Sequence, residues 1–313
     1  MAIIEQSPET TSPQKRRKIQ NMIFATIAFL GVLIASYPAI SQWVTAHQRA
    51  DKITGYSETL ERVGPEILQD VLTDARQYNQ NMPGVLISDP YSLNDAREGE
   101  SGAWENYLDS LTVPDSDVMA TIRIPSIQVN LPVKHGTSDA VLAEGAGHLF
   151  GSSLPVGGER THSVITAHTA LSRAKLFDDL DQVELGELFH IDVAGETLTY
   201  RVEAIDVVLP HEIDSLQLES GRDLVTLVTC APPTVNTHRL LVRGERVHLE
   251  EEAFDANQLF NVDGTEVGFP WWMLWVGGAG VGLAVFVLRK PKSHEDGNGE
   301  AVSAVENNTE DLG

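Results

Sequence analysis

The sequence predicts a mainly β domain, a sandwich or a closed barrel, held outside a membrane between two apolar spanning segments. Three observations support this. Short β-branched runs separated by turn residues fill the chain from Val118 to Leu249 with little helical patterning between them. Two charge-free apolar stretches, Met22–Ile40 and Phe269–Leu288, flank that region. Each stretch has a basic cluster at its outer end, Lys15-Arg16-Arg17-Lys18 before the first and Arg289, Lys290 and Lys292 after the second.

The first 20 residues read as a basic cytoplasmic terminus. No Lys, Arg, Asp or Glu lies between Lys18 and His47, and about 20 apolar residues suffice to cross a bilayer, so 21–43 is expected to span it. A cleaved signal peptide is the alternative. Against it, Ser36-Tyr37-Pro38-Ala39 makes a poor small-residue cleavage site and the apolar run is long. Residues 44–117 are expected to form an external helical and loop region. Ile67, Leu68, Val71, Leu72 and Ala75 have helical spacing over Pro65–Asn81, and Pro65 suits a first helical position. Gly84–Glu105 is punctuated by Gly, Asp and Pro and reads as an irregular loop. Within it Asp89-Pro90-Tyr91 is, taken alone, an ordinary turn tripeptide.

The β region is placed at 118–255. Its runs are "VMATIRI", "VNLPV", "HSVITA", "LFHIDV", "LTYRVEAIDVVL", "LVTLVTC" and "RLLVRGERVHL", with "AKLFDDLDQV" as a short helical interruption. "KHGTSD" and "VGGERT" read as loops. A linker at 256–268 leads to the second expected span, 269–288. Trp271, Trp272 and Trp275 crowd its first turns as interfacial aromatics do, and its glycines are tolerated in lipid. Residues 289–313 form an acidic tail expected to be disordered in the cytosol.

Composition narrows the function. The chain has 22 Lys plus Arg against 45 Asp plus Glu, a net charge of -23, so no nucleic-acid partner is expected. Its single cysteine, Cys230, excludes an intrachain disulfide, and outside the membrane an unpaired thiol is either reactive or an inert core residue. Cys230 ends the run "LVTLV", Ala231-Pro232-Pro233 breaks that strand, and Arg239 opens the next run. Two adjacent strand ends would bring thiol and guanidinium together, the setting that favours a thiolate. Ten histidines are available as a base. His168 ends an apolar strand as Cys230 does, His162 lies six positions earlier, and His238 precedes Arg239. Spacing alone does not choose among them. HExxH and Cys/His zinc spacings are absent, so neither a metal nor a cofactor is expected.

Three linked segments carry a family likeness. "TLVTCAPPTVNTHRLLVRG" resembles the cysteine–arginine signature of sortases, and "HSVITAHTALSRAKLFDDLDQVELGE" resembles the segment holding their histidine. The stretch from Ala120 to His168 is similar to the core of class C, the pilus-assembling sortases, and the likeness extends over about residues 60–250. It implies an eight-stranded β-barrel with an N-terminal helix, anchored on a Gram-positive surface. By the same likeness Cys230 would be the nucleophile, His168 the acid and base, and Arg239 rather than Arg243 the oxyanion stabiliser. Asp89-Pro90-Tyr91 matches the class C lid, in which Asp89 would pair with Arg239 and Tyr91 would cover Cys230. The implied partners are pilins or other surface proteins with a Leu-Pro-x-Thr-Gly-like sorting signal, and a pilin lysine as acceptor.

The chain departs from the family pattern at three places. Ala167 stands where Gly is frequent, Ala231-Pro232-Pro233 where Thr and then Pro-aromatic are frequent, and Tyr91 where the lid aromatic is often Trp or Phe. Two other functions compete with pilin polymerisation: anchoring of surface proteins to cell-wall peptide, and a non-catalytic membrane-tethered scaffold. An L,D-transpeptidase lacks support because Ser-His-Gly-Cys is missing around Cys230.

Overall fold

A computed structural model describes residues 13–82, 89–91, 102–171, 174–212, 214–248 and 268–289. They divide into two compact units, one of residues up to Ser36 with those from Trp271 onward, the other Tyr37–Pro270. In the first unit, the opening part of helix α1 (Pro13–Val63) is long and apolar enough to cross a membrane, with a mean hydropathy of 2.1 and none of that window buried. The helix expected over 21–43 therefore continues without a break well past the apolar stretch. Pro38 sits inside it, where one missing N–H is tolerated. Within the same unit the apolar helix Trp272–Leu288 has 17 residues and no buried side chain. It is shorter than the 20-residue span expected from the sequence.

In the second unit α1 ends at Gly64, whose φ of 86° separates it from helix α2 (Pro65–Asn81). The predicted boundaries hold, and Leu68, Leu72 and Ala75 are buried. Ile67, placed on the inner face by its spacing, is exposed instead. Its neighbour Leu68 fills the site against the barrel. Helix α3 (Gly102–Asp109) occupies the end of the stretch read as an irregular loop, fastened by the buried Tyr107.

Eight strands follow: β1 (Ala120–Ile124), β2 (Val129–His135), β3 (Ala146–His148), β4 (Thr161–Thr166), β5 (Leu188–Val193), β6 (Glu196–Val208), β7 (Asp223–Ala231) and β8 (His238–Arg246). Helix α4 (Asp139–Glu144) lies between β2 and β3, capped by the Ser138 side chain. The strands close in the order β1-β2-β3-β4-β7-β8-β6-β5. A closed barrel leaves no edge strand, which decides between the two all-β architectures the pattern allowed. The β2–β3 and β4–β7 pairs are parallel and the others antiparallel. Ile122, Ile124, Val133, Ile165, Phe189, Ile191, Tyr200, Leu227 and Val242 fill the interior. Gly244 on β8 admits the Phe189 ring: a Cβ there would lie 2.4 Å from its Cε1. The expected helical interruption before β5 is a single 3-10 turn, Leu180–Gln182.

Candidate active site

One end of the barrel collects the C-terminal ends of β4 and β7 and the start of β8. Antiparallel pairing of β7 and β8 sets Cys230 directly opposite Arg239. The parallel pairing of β4 and β7 has Thr166 opposite Val228 as its last partners. His168 follows Thr166 by two residues, just past the end of β4, as Cys230 follows Val228 by two on β7. Two bonds continue the ladder into this end, from Ala167 N to the Val228 carbonyl (3.2 Å) and from Thr229 Oγ1 to the Ala167 carbonyl (2.8 Å). The strand with the thiol and the segment with the imidazole are thus tied together one residue before each group.

The turn joining β7 to β8 aims the guanidinium. The Ala231–Pro232 peptide is cis, and the Pro232 carbonyl accepts bonds from Val235 N and Asn236 N. Thr234 and Asn236 have φ of 70° and 59°, a region that Asn visits more readily than most residues. Arg239 Nη1 donates to the carbonyls of Asn236 and His238, both at 3.0 Å. Its Nε and Nη2 donate to Asp89 Oδ1 and Oδ2, each at 2.8 Å. Asp89 and Arg239 are both buried, so this bidentate pair is shielded from water.

Asp89-Pro90-Tyr91 therefore lies across the barrel end. The Arg239 guanidinium carbon stands 4.9 Å above the Tyr91 ring centre, and the Tyr91 and His168 rings are 5.7 Å apart and tilted by 37°. The Tyr91 hydroxyl donates to the Ala167 carbonyl at 2.7 Å. Thr166 Oγ1 lies 2.8 Å from that hydroxyl and 3.0 Å from the Val228 carbonyl. Below the ring is an apolar patch of Leu149, Val164, Leu216, Val228 and Leu241. Thr137 Oγ1 donates to the Pro90 carbonyl at 2.9 Å. Thr137 belongs to "KHGTSD", which read as a plain loop; no spacing signal marks it, because its partner is 47 residues away.

Electrostatics follow from this cover. Burial raises the Cys230 thiol pKa above its ordinary value. Arg239 opposes that rise, Asp89 adds to it, and a hydrogen bond with Tyr91 opposes it. Burial also raises Tyr91, with the neighbouring Cys230 adding to the effect. Burial works against the charge on Arg239, but its bonds to Asp89 carry its pKa above the ordinary value. The cover thus favours the protonated thiol and occupies the Nε and Nη2 donors of Arg239 with Asp89.

The other candidates are held by other partners. His162 is fully buried between the Gln217 carbonyl and Thr226 Oγ1, both 2.8 Å from its ring nitrogens. His238 bonds Thr237 at 2.9 Å, and Arg243 pairs with Glu203 and Glu219. Among the described residues no group of three or more His, Cys, Asp or Glu side chains is arranged to hold a metal.

Residues 122–247 match the family model described as the sortase domain. Among solved structures, sortase C-1 of Actinomyces oris is 48% identical, with 58% of this chain and 99% of that one covered and a TM-score of 0.55. Sortase C-1 of Streptococcus pneumoniae is 36% identical over 64% of this chain and 100% of that one, with a TM-score of 0.58. The sortase A of Streptococcus agalactiae serotype III (strain NEM316) is 28% identical over 131 residues, 41% of this chain and 52% of that protein. The chain spans about half to three-fifths of the length of the curated relatives it matches. A shared barrel alone does not produce near-half identity along the whole of a relative; this chain belongs to the sortase family, in class C.

Proposed function

We propose that this protein is a membrane-anchored cysteine transpeptidase that joins pilins through a lysine amine. The observation that carries the reading is Cys230 opposite Arg239 on β7 and β8, with His168 two residues beyond the end of β4, the strand that pairs with β7. In this reading the Cys230 thiolate attacks the Thr carbonyl carbon of a Leu-Pro-x-Thr-Gly-like signal. Arg239 donates to the oxyanion. The Thr–Gly C–N bond breaks, and His168 as imidazolium gives its proton to the departing Gly nitrogen, leaving a thioester on Cys230. A pilin lysine amine then attacks the thioester and passes its proton to His168. The C–S bond breaks and the thiolate is regenerated. A similar sortase C of Streptococcus pneumoniae, 35% identical, has pilin substrate specificity, which supports pilins as the substrates here.

Asp89-Pro90-Tyr91 is the lid in this reading. It must leave before reaction, because Asp89 holds two Arg239 donors and Tyr91 covers the thiol end of the barrel. The N-terminal span 21–43 tethers the enzyme, and the second span, 269–288, brings both termini to the cytoplasm with the barrel outside. The test is a strain carrying Cys230→Ala. Loss of covalent pilin polymers, with monomeric pilin still made, is the expected result. Polymers at wild-type level would leave only the scaffold reading, and pilin monomers attached to the wall in wild-type cells would favour the anchoring alternative.

A further inference from the structure

We propose that Arg49, on the part of α1 that leads out of the apolar span, is a positioning residue for His168. The inference rests on the catalytic reading of Cys230 and His168. Arg49 shares a buried helical face with Ala50, Ile53 and Tyr56, and its own exposure is 8%. Arginine stays ionised inside a protein, so burying it demands compensating partners. An apolar side chain of similar length would fill the same volume at less cost, so the charge itself calls for a role.

The partners lie in the segment that follows His168. Arg49 Nη1 donates to the Lys175 carbonyl at 2.9 Å. The Asp178 carboxylate, whose charge acts on Arg49, accepts bonds from Ala170 N (3.0 Å) and Leu176 N (2.8 Å). Phe177 N donates to the His168 carbonyl at 3.0 Å. Ala170, two residues beyond His168, has φ of 58°, a conformation costing a non-glycine residue about 1 kcal/mol. Such a residue persists only where its surroundings over-determine it. Here Asp178 holds the Ala170 amide, and Arg49 holds the carbonyl of Lys175 on the returning arm. Ala174, Leu176 and Phe177 are buried beneath it, so the arm has little room to move alone. The guanidinium's bond is to the Lys175 carbonyl, and it acts on the histidine through this segment.

The consequence is specific. Without the guanidinium the arm relaxes and the His168 backbone shifts by a fraction of an ångström, while the β7–β8 pair of Cys230 and Arg239 stays in place. Displacement of a proton-transfer group by about 1 Å costs up to ~100-fold in rate. Thioacyl formation with a Leu-Pro-x-Thr-Gly peptide is measured on the full chain in detergent, alongside alkylation of Cys230 by iodoacetamide, which needs no proton from His168. Arg49→Met should lower kcat about 10- to 100-fold, with KM and the alkylation rate within about two-fold of wild type. Arg49→Lys, which keeps a charge and a donor, should recover most of the rate. Wild-type kcat in Arg49→Met overturns the proposal, and so does a kcat loss matched by equal losses in alkylation and thermal stability. If Arg49→Met does not accumulate, Asp178→Asn decides, since it removes the facing charge and leaves α1 intact. A kcat loss at unchanged KM supports the role and a wild-type kcat overturns it. Failure of the unsubstituted chain to form any thioacyl adduct would count instead against the catalytic reading.

Discussion

On the proposed reading of Asp89-Pro90-Tyr91 as a lid, removing its contacts should expose the thiol by a calculable amount. The bidentate Asp89–Arg239 pair, with both bonds at 2.8 Å and both residues buried, is worth on the order of 2 kcal/mol once exchange with water is counted. The Arg239–Tyr91 contact at 4.9 Å adds about 0.5–1 kcal/mol. Together they hold about 1% of molecules open, since roughly 2.7 kcal/mol corresponds to 100-fold. Asp89→Ala with Tyr91→Ala should therefore raise Cys230 labelling by a thiol reagent about 100-fold at neutral pH. Asp89→Ala alone should give about 30-fold and Tyr91→Ala about two- to five-fold, the converted values of their separate contributions. The singles need not sum to the double, because both contact the same guanidinium. Stopped-flow labelling with a chromogenic disulfide gives the rates directly. A double variant labelled within two-fold of wild type would refute the reasoning, for it would mean the lid does not limit access to Cys230.

Further outcomes are expected. Thr137→Val removes the donor to the Pro90 carbonyl and should raise labelling about five-fold, the worth of one hydrogen bond of ~1 kcal/mol; an unchanged rate would show that Thr137 does not hold the lid. Asp89 helps raise the thiol pKa, so Asp89→Ala should shift the pH profile of Cys230 alkylation to lower pH, as more thiolate forms at a given pH; a shift upward would contradict the electrostatics. His148 is fully buried and burial pushes it down to about 4, so the unfolded chain binds a proton that the folded one refuses between about pH 6.5 and 4. Stability should be full above that window and fall by on the order of 3 kcal/mol across it as pH drops; thermal unfolding followed from pH 7 to 4 should show a smaller fall in His148→Gln. Gly244→Ala would set a Cβ 2.4 Å from Phe189 Cε1 and should cost about 1–3 kcal/mol, seen as a Tm lowered by several degrees; a wild-type Tm would mean the ring yields freely.

Much of this molecule is legible in its amino-acid sequence, for identifiable physical reasons. Strands such as Leu188–Val193 announce themselves through β-branched runs, and Pro65 and the buried face of α2 through helical periodicity. Strand β3 was not legible, because Ala-Gly-His has no run length and is ordered only by partners on β2 and β4. Helix α3 escaped for a similar reason: its anchor is Tyr107, bonded to the distant His148. At the site, the adjacency of Cys230 and Arg239 followed from two strand ends and a short turn. His168 did not separate from His162 by spacing, since both belong to the same strand region. Their environments separate them, with His162 sealed between Gln217 and Thr226 while His168 stands beside Tyr91. Thr137 and Arg49 carry no local signal, because their partners lie 47 and 126 residues away. Long-range polar contacts of that kind exist only once the barrel has closed.

Mass spectrometry of the full chain after incubation with a Leu-Pro-x-Thr-Gly peptide bears most directly on the chemistry. An adduct of the acyl fragment ending in Thr, placed on Cys230, released by a lysine amine and absent from Cys230→Ala, is the predicted result. Cleavage of the peptide by Cys230→Ala at the wild-type rate, or an adduct on any other residue, would contradict it.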